Sequence, residues 1–163
     1  MLAALNCVCG WISIPFGDIS ITMQTLSVVL TLLLLGGRWG TLTIGVYLLL
    51  GAVGIPVFSG FRGGIGVLLG ATGGYLFGFF LMGLLYWCIT ARFGNRVRIP
   101  AGVAGLLACY SLGTVWYMVI YLQDGGLSAV LLKCVIPYVL PDALKLAMAF
   151  SLAGRIQRRV SMN

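Results

Sequence analysis

The residue types that could do chemistry in this sequence are concentrated at Asp142 and Lys145. The two are three residues apart, so on a helix the carboxylate and the ammonium group share a face and can reach each other. The flanking residues are apolar, and a charge inside a membrane segment costs on the order of 3 kcal/mol even on the milder insertion scales. Such residues usually face a cavity and serve function, so the pair predicts the polar end of a small-solute binding site.

The alternative interpretation of the pair is an internal salt bridge that locks two helices together. Pro137 and Pro141 precede Asp142, and we expect them to free carbonyl groups and break the helix just before the pair. Helices at transport sites are often broken in this way. The prolines therefore favour a binding site over a structural ion pair.

Catalysis is disfavoured by the residues that the chain lacks. It has no histidine, which serine and zinc intramembrane proteases need, and Asp142 is the one aspartate expected within a span, so no aspartyl pair forms. Cys7 and Cys9 lack the partners of a zinc site, and the five cysteines are interpreted as buried apolar residues. We expect no enzyme activity, metal or cofactor, and although no channel filter motif is present, a homo-oligomeric pore is left open.

The elements that must position the pair are membrane-spanning helices. The chain is 61% hydrophobic and 8% charged, which is too few charges to cover a soluble domain of this size. Uncharged stretches of 19 to 29 residues separate its charges, and about 20 residues cross the bilayer. We predict an all-α integral membrane protein with six spans, at about 2–14, 22–35, 41–55, 74–91, 102–122 and 128–154, and an outer loop at about 14–24 that folds back over the bundle.

The net charge of +7 fits membrane topology better than nucleic-acid binding, because the basic residues do not form one patch with interleaved aromatics. With both termini cytoplasmic, most arginines lie inside, while Asp18, Asp124 and Arg62 lie outside. No basic stretch precedes the first span, so we expect that span to be retained. The inside arginines are Arg38, Arg92, Arg96, Arg98, Arg155, Arg158 and Arg159.

Seven glycines fall between Gly60 and Gly74, which indicates irregular backbone. At membrane depth such backbone is tolerated where protein buries it or where it lines a cavity. Gly70, Gly74 and Gly78 also repeat at the small-xxx-small spacing of helix packing. Packing alone and packing combined with ligand approach both remain open, whereas a phosphate loop would need a lysine that is absent here.

Four motifs, in order and over nearly the whole chain, resemble the BioY family, the biotin-binding S components of energy-coupling-factor (ECF) transporters. They are the runs Ile14–Thr25, Gly51–Gly60, Gly70–Tyr75 and Pro137–Lys145. The resemblance implies a six-helix S-component fold over residues 1–163 as a single domain, with biotin held near the outer face. It also implies loops after spans one and three that cap the ligand.

The resemblance further implies roles for individual residues at the ureido ring of biotin. Asp142 would accept from a ureido N–H, Lys145 would donate to the carbonyl oxygen, and Arg62 would reach the same end. The sequence departs from the usual family pattern at two places. Ala71 stands where the family usually has Pro, and Leu140-Pro141 stands where it usually has Pro-Gly. Arg62 itself replaces a smaller amide.

The other end and the walls of the implied site come from different segments. Thr72, Gly73 and Tyr75 are expected near the valerate carboxylate, where a helix N-terminus would offer free N–H groups. Phe58, Trp116 and Tyr117 can supply apolar walls for the bicyclic ring.

We therefore predict a biotin-uptake subunit of the bacterial cytoplasmic membrane that works with an ECF transmembrane coupling protein and ATPase subunits. The competing hypothesis is a structural or pore-forming membrane protein in which Asp142 and Lys145 only tie helices together. The sequence leaves open the oligomeric state and the choice between biotin and a precursor such as dethiobiotin.

Overall fold

The chain folds into a helical bundle with one small β-ribbon near its N-terminus. The computed structural model describes residues 1–15, 20–121 and 135–160. The helices are α1 Leu2–Trp11, α2 Gln24–Ala52, α3 Ile65–Leu68, α4 Gly73–Phe93, α5 Arg98–Tyr121 and α6 Ile136–Val160, with a 3-10 turn at Asn95–Val97. The expected start of the last span, with Lys133, lies outside the described residues, as do Asp18 and Asp124.

Within the described residues, four segments are long and apolar enough to cross a membrane, with mean hydropathy between 1.3 and 1.7. They are Gln24–Ala52, Gly73–Phe93, Arg98–Ile120 and Ile136–Arg159. The predicted class, a helical multi-pass membrane protein, is confirmed. Helix α1 has only 10 residues, fewer than the predicted first span at about 2–14 and fewer than the roughly 20 that cross a bilayer.

Helix α2 reverses its direction at Gly36, which has φ 78° and ψ 174°. This conformation is essentially restricted to glycine. A Cβ built on Gly40 would lie 3.0 Å from the Cα atom of Leu32, although residues eight apart in a straight helix are separated by about 12 Å. The chain therefore turns back on itself at Gly36.

The two arms of α2, residues 24–35 and 37–52, correspond to the predicted second and third spans. Near their far ends Gln24 donates a hydrogen bond to the hydroxyl of Tyr47, as expected for an antiparallel hairpin. The second arm begins earlier than the predicted residue 41, because Gly36 alone absorbs the change of direction.

Helix α1 ends at Trp11 rather than at the predicted Ile14. The next residues are extended, and strand β1, Ser13–Ile14, pairs antiparallel with strand β2, Ile21–Thr22. The predicted outer loop thus carries a short ribbon, whose backbone hydrogen bonds replace the helical ones that Pro15 would have interrupted.

Glycines bring α4 and α5 into close contact. A Cβ on Gly78 would lie 2.7 Å from Cys109 Sγ, and one on Gly74 would overlap the side chain of Trp116. The packing prediction is confirmed for Gly74 and Gly78, since small residues let two helices approach. Gly70 precedes α4 and receives a hydrogen bond from Trp116 instead.

Gln157, near the end of α6, identifies one end of the bundle. Its side chain donates to the carbonyl oxygen of Leu33 at 2.8 Å and accepts from Arg98 at 3.3 Å. The Gly36 turn, the start of α5 and the end of α6 therefore lie together. The arginines expected inside lie at or near these helix ends and the Gly36 turn.

Substitution of Gly36 by alanine tests the hairpin. We expect Gly36→Ala to lower the free energy of unfolding by about 1–3 kcal/mol, because a side chain disfavours this backbone conformation. Gly154→Ala, in an open position of α6, is the matched control and should be neutral or slightly stabilising. Denaturant unfolding in detergent measures both, and equal stabilities of the two variants would contradict the assigned turn.

Candidate ligand-binding site

Asp142 and Lys145 form a buried ion pair in the first turns of α6. Lys145 Nζ donates to Asp142 Oδ1 at 2.7 Å, and each residue is 6% exposed. The helix is not broken before the pair, contrary to the expectation. Pro137 lies in the first turn, where no amide donor is needed, and Pro141 lies inside the helix, where it leaves the carbonyl of residue 137 without its usual partner.

Tyr110 of α5 completes this cluster. Its hydroxyl donates to Asp142 Oδ2 at 2.6 Å, so both carboxylate oxygens are satisfied from different elements. Sequence reasoning did not assign Tyr110 to the site. The sequence does contain a signal for this role: Tyr110 places a hydroxyl within an apolar span, and a buried hydroxyl needs a hydrogen-bond partner.

The cluster lies at the wall of a cavity that encloses about 720 Å³, its open mouth included. Its lining combines apolar and aromatic side chains with a few polar groups, as is typical of small-molecule sites. Of the nine residues predicted for the site, Asp142, Lys145, Arg62, Thr72, Tyr75 and Phe58 line this cavity. The lining residues that the prediction lacked are Ser20, Thr22, Gln24, Thr25, Ser59, Val67, Leu76, Phe79, Leu106, Cys109, Tyr110 and Tyr138.

Gly73, Trp116 and Tyr117 are not among the cavity-lining residues. Trp116 Nε1 donates to the carbonyl oxygen of Gly70 at 3.1 Å, which directs the indole to the α4–α5 contact. Tyr117 is 5% exposed and belongs to a small apolar cluster with Tyr138. Both aromatic residues support the walls from behind.

The start of α4 offers fewer free N–H groups than the sequence suggests. The amide of Gly73 donates to Gly70 O at 3.0 Å, and that of Tyr75 donates to Thr72 O at 3.1 Å. Two of the amide donors at this helix end are therefore occupied.

Residues 57–62 form a loop at the mouth of the cavity, which we call the mouth loop. Phe58 is 1% exposed and packs edge-on against Tyr47, with ring centroids 5.6 Å apart. Its amide donates to Arg62 O at 2.9 Å, which closes the loop. Arg62 is exposed, and its Nε donates to Ser59 O at 3.1 Å.

Trp11, the last residue of α1, holds the mouth loop from outside. Its indole N–H donates to Pro56 O at 2.7 Å, and its ring stacks on Phe61 with centroids 5.0 Å apart. Phe61 has φ 56°, an uncommon left-handed conformation for a residue other than glycine. These contacts fix the loop that carries Arg62.

A polar chain joins the ribbon to the same loop. Thr22 Oγ1 donates to Gln24 Oε1 at 3.1 Å, Gln24 donates to Tyr47, and the Tyr47 hydroxyl donates to Val57 O at 3.2 Å. These hydrogen bonds hold the ribbon and the mouth loop in place relative to the second arm of α2.

The arrangement suits binding rather than catalysis. No group of three metal-ligating side chains occurs in the described part of the chain. The buried end combines an acceptor, Asp142, with two donors, Lys145 and Tyr110, and it is neutral because the two charges cancel. Such a set complements a neutral polar group that carries donors and an acceptor side by side.

Fold and site together define a multi-pass helical membrane protein with a partly enclosed cavity beneath its loops. The BioY family profile matches residues 1–162, and the chain belongs to the BioY family. It is 38% identical over 159 residues to the biotin transporter BioY of Thermotoga maritima, covering 97% of this chain and 92% of the relative.

Two further comparisons agree with this assignment. The probable biotin transporter BioY of Pyrococcus horikoshii is 37% identical over 161 residues, covering 96% of this chain and 92% of that relative. The fold is similar to a crystal structure of the S-component for biotin from an ECF-type ABC transporter, with TM-score 0.85 at 21% identity, covering 96% and 87% of the two chains.

The buried ion pair can be tested by removing one charge and then both. We expect Lys145→Met to destabilise the protein by about 3–5 kcal/mol, because it leaves the Asp142 carboxylate buried without its counter-charge. The double variant Asp142→Asn with Lys145→Met should recover most of this loss. Unfolding in detergent is the measurement, and a double variant as unstable as the single one would contradict the electrostatic coupling.

Proposed function

We propose that this chain captures biotin at the outer face of the bacterial cytoplasmic membrane as the S component of an ECF transporter. The observation that carries the proposal is the cluster of Asp142, Lys145 and Tyr110 at the buried end of the cavity. Membership of the BioY family and the relatives named as biotin transporters support the choice of ligand.

The ureido ring of biotin has two N–H donors and one carbonyl acceptor, which the cluster can satisfy. In this proposal Asp142 accepts from an N–H and Lys145 donates to the carbonyl oxygen. Tyr110 holds the second carboxylate oxygen at 2.6 Å and so fixes the direction of the remaining lone pairs. Because the charges of Asp142 and Lys145 cancel, the pair carries no net charge, which suits a neutral ring.

The remaining cavity residues are assigned by their chemistry. Phe58, Leu76, Phe79 and Leu106 line the cavity and would enclose the apolar bicycle, while Thr72 and Tyr75 lie along the tail. Dethiobiotin keeps the ureido group and the tail, and would compete at the same site.

The proposed topology has six crossings, with both termini in the cytoplasm and residues 1–163 as a single domain. It is supported by six main helical segments, counting the arms of α2 separately within the described residues. The arginine-rich helix ends near Gln157 would face the cytoplasm, and the mouth loop would face outward.

Energy would come from ATP hydrolysed by partner subunits through a transmembrane coupling protein. Exposed positions of α1, including Ala4 and Val8, form the outward face of this helix and are candidates for that contact. The sequence suggested the small residues Ala3, Ala4 and Cys7 for this contact. Of these, Ala4 is exposed, Ala3 is half-buried and Cys7 is buried.

The alternative, a structural protein with a helix-locking ion pair, has less support. Asp142 and Lys145 belong to the same helix, so their salt bridge joins no two elements. Among the described residues, the bond from Tyr110 is the one that links the cluster to another helix, and the cluster borders a cavity.

Equilibrium binding of labelled biotin to the detergent-purified chain tests the proposal. We expect saturable binding at micromolar or lower ligand, competed by dethiobiotin but not by octanoate, which has a carboxylate and no ureido ring. Asp142→Asn should weaken binding by about 1–3 kcal/mol, as for a lost charge-assisted hydrogen bond. Absence of saturable binding to folded wild-type protein would reject the biotin assignment.

Substitution of Tyr110 tests its positioning role. We expect Tyr110→Phe to weaken biotin binding by up to about tenfold, because the Asp142 carboxylate is no longer held in the direction that the ureido N–H needs. The hydrogen bond exists without ligand, so its own contribution of about 1.5 kcal/mol is lost from folding stability. The matched control is Tyr86→Phe, since Tyr86 is a buried tyrosine outside the cavity lining. Unchanged affinity in a folded Tyr110→Phe protein would contradict the role.

A further inference from the structure

The charges of the described side chains that line the cavity do not sum to zero. Asp142 and Lys145 neutralise each other at 2.7 Å, whereas Arg62 lines the same cavity and has no carboxylate partner among them. Its recorded hydrogen bond runs from Nε to the carbonyl oxygen of Ser59, which orients the guanidinium without neutralising it. The described lining therefore carries one net positive charge at its mouth.

Ser59 adds a second unsatisfied group next to Arg62. It lines the cavity, and its Oγ is buried without a hydrogen-bond partner among the described residues. Such a hydroxyl costs free energy that a new partner would recover. Because Ser59 also lines the cavity, a ligand oxygen that enters there can accept a hydrogen bond from this hydroxyl.

Burial differs between the two polar ends of the cavity. Asp142 and Lys145 are each 6% exposed, whereas Arg62 is exposed. A carboxylate loses more hydration free energy on burial than a neutral ring does. A ligand with one neutral and one anionic end is therefore most stable with its neutral end inside and its anionic end at Arg62.

We infer that Ser59 and Arg62 of the mouth loop bind the carboxylate of the ligand, and so fix its orientation with the tail toward the mouth. This inference rests on the proposed function. It assigns Arg62 to the opposite end from the one that the family resemblance implies, and it takes the carboxylate away from the start of α4, where two amides are already bonded.

The test compares biotin with biotin methyl ester, which keeps the ring and removes the negative charge. We expect Arg62→Gln to weaken biotin binding by about 10-fold, as for a lost hydrogen bond to a charged group at a partly screened position. The same variant should change ester binding by less than about 2-fold. Ser59→Ala should show the same selectivity with a smaller loss.

Matched controls and a second measurement make the result decisive. Arg92→Gln, at an exposed arginine in the last turn of α4, and Ser111→Ala, at an exposed serine of α5 outside the cavity lining, should leave both ligands unaffected. In the wild type, raising the salt concentration should weaken biotin binding more than ester binding.

Equal losses for biotin and ester in folded Arg62→Gln would overturn the inference and place Arg62 at the ureido end. Equal salt dependence of the two ligands in the wild type would overturn it even if the variants fail to fold. Neither result resembles failure of the proposed function, in which wild-type protein would bind neither biotin nor its ester.

Discussion

The structure depends on the need to satisfy one carboxylate inside an apolar bundle. Asp142 Oδ1 accepts a hydrogen bond from Lys145 at 2.7 Å, and Asp142 Oδ2 accepts one from Tyr110 at 2.6 Å. Without these partners the buried charge would cost several kcal/mol. Because Tyr110 comes from α5, satisfying Asp142 also fixes the position of α5 relative to α6 on the two sides of the cavity.

Glycine makes the rest of the scaffold compatible with that arrangement. Gly36 lets the two arms of α2 run back along each other, and Gly78 lets α4 approach Cys109 of α5 closely. Lipid provides little hydrophobic driving force between helices, so close packing must supply the attraction. The closely packed helices leave the cavity between α4, α5 and α6, where larger side chains such as Phe79 and Tyr110 form the wall.

The sequence predicts the helical class and the Asp142–Lys145 pair because both follow from local rules, namely segment length, hydropathy and i,i+3 spacing. It predicts a reversal near Gly36, because the predicted second and third spans end at about residue 35 and begin at about residue 41. It does not predict the Tyr110–Asp142 bond or the burial of Ser59 Oγ, since these depend on how separate segments meet. Trp116 and Tyr117 show the same limit. The sequence predicts that they lie in the fifth span, but whether they face the cavity or a neighbouring helix depends on the rotation of α5 about its axis.

The two ends of the cavity differ in how firmly they are held, because one is built on helices and the other on a loop. Tyr110, Asp142 and Lys145 stand on long helices whose backbone bonds are internal, so the buried end is rigid. Arg62 and Ser59 stand on a loop that contains left-handed residues such as Phe61, and this loop is held from outside by Trp11 of α1. The same loop is also held by Tyr47 of α2, whose hydroxyl donates to Val57 O. The position of the mouth therefore depends on both α1 and α2, whereas the buried end is set by α5 and α6.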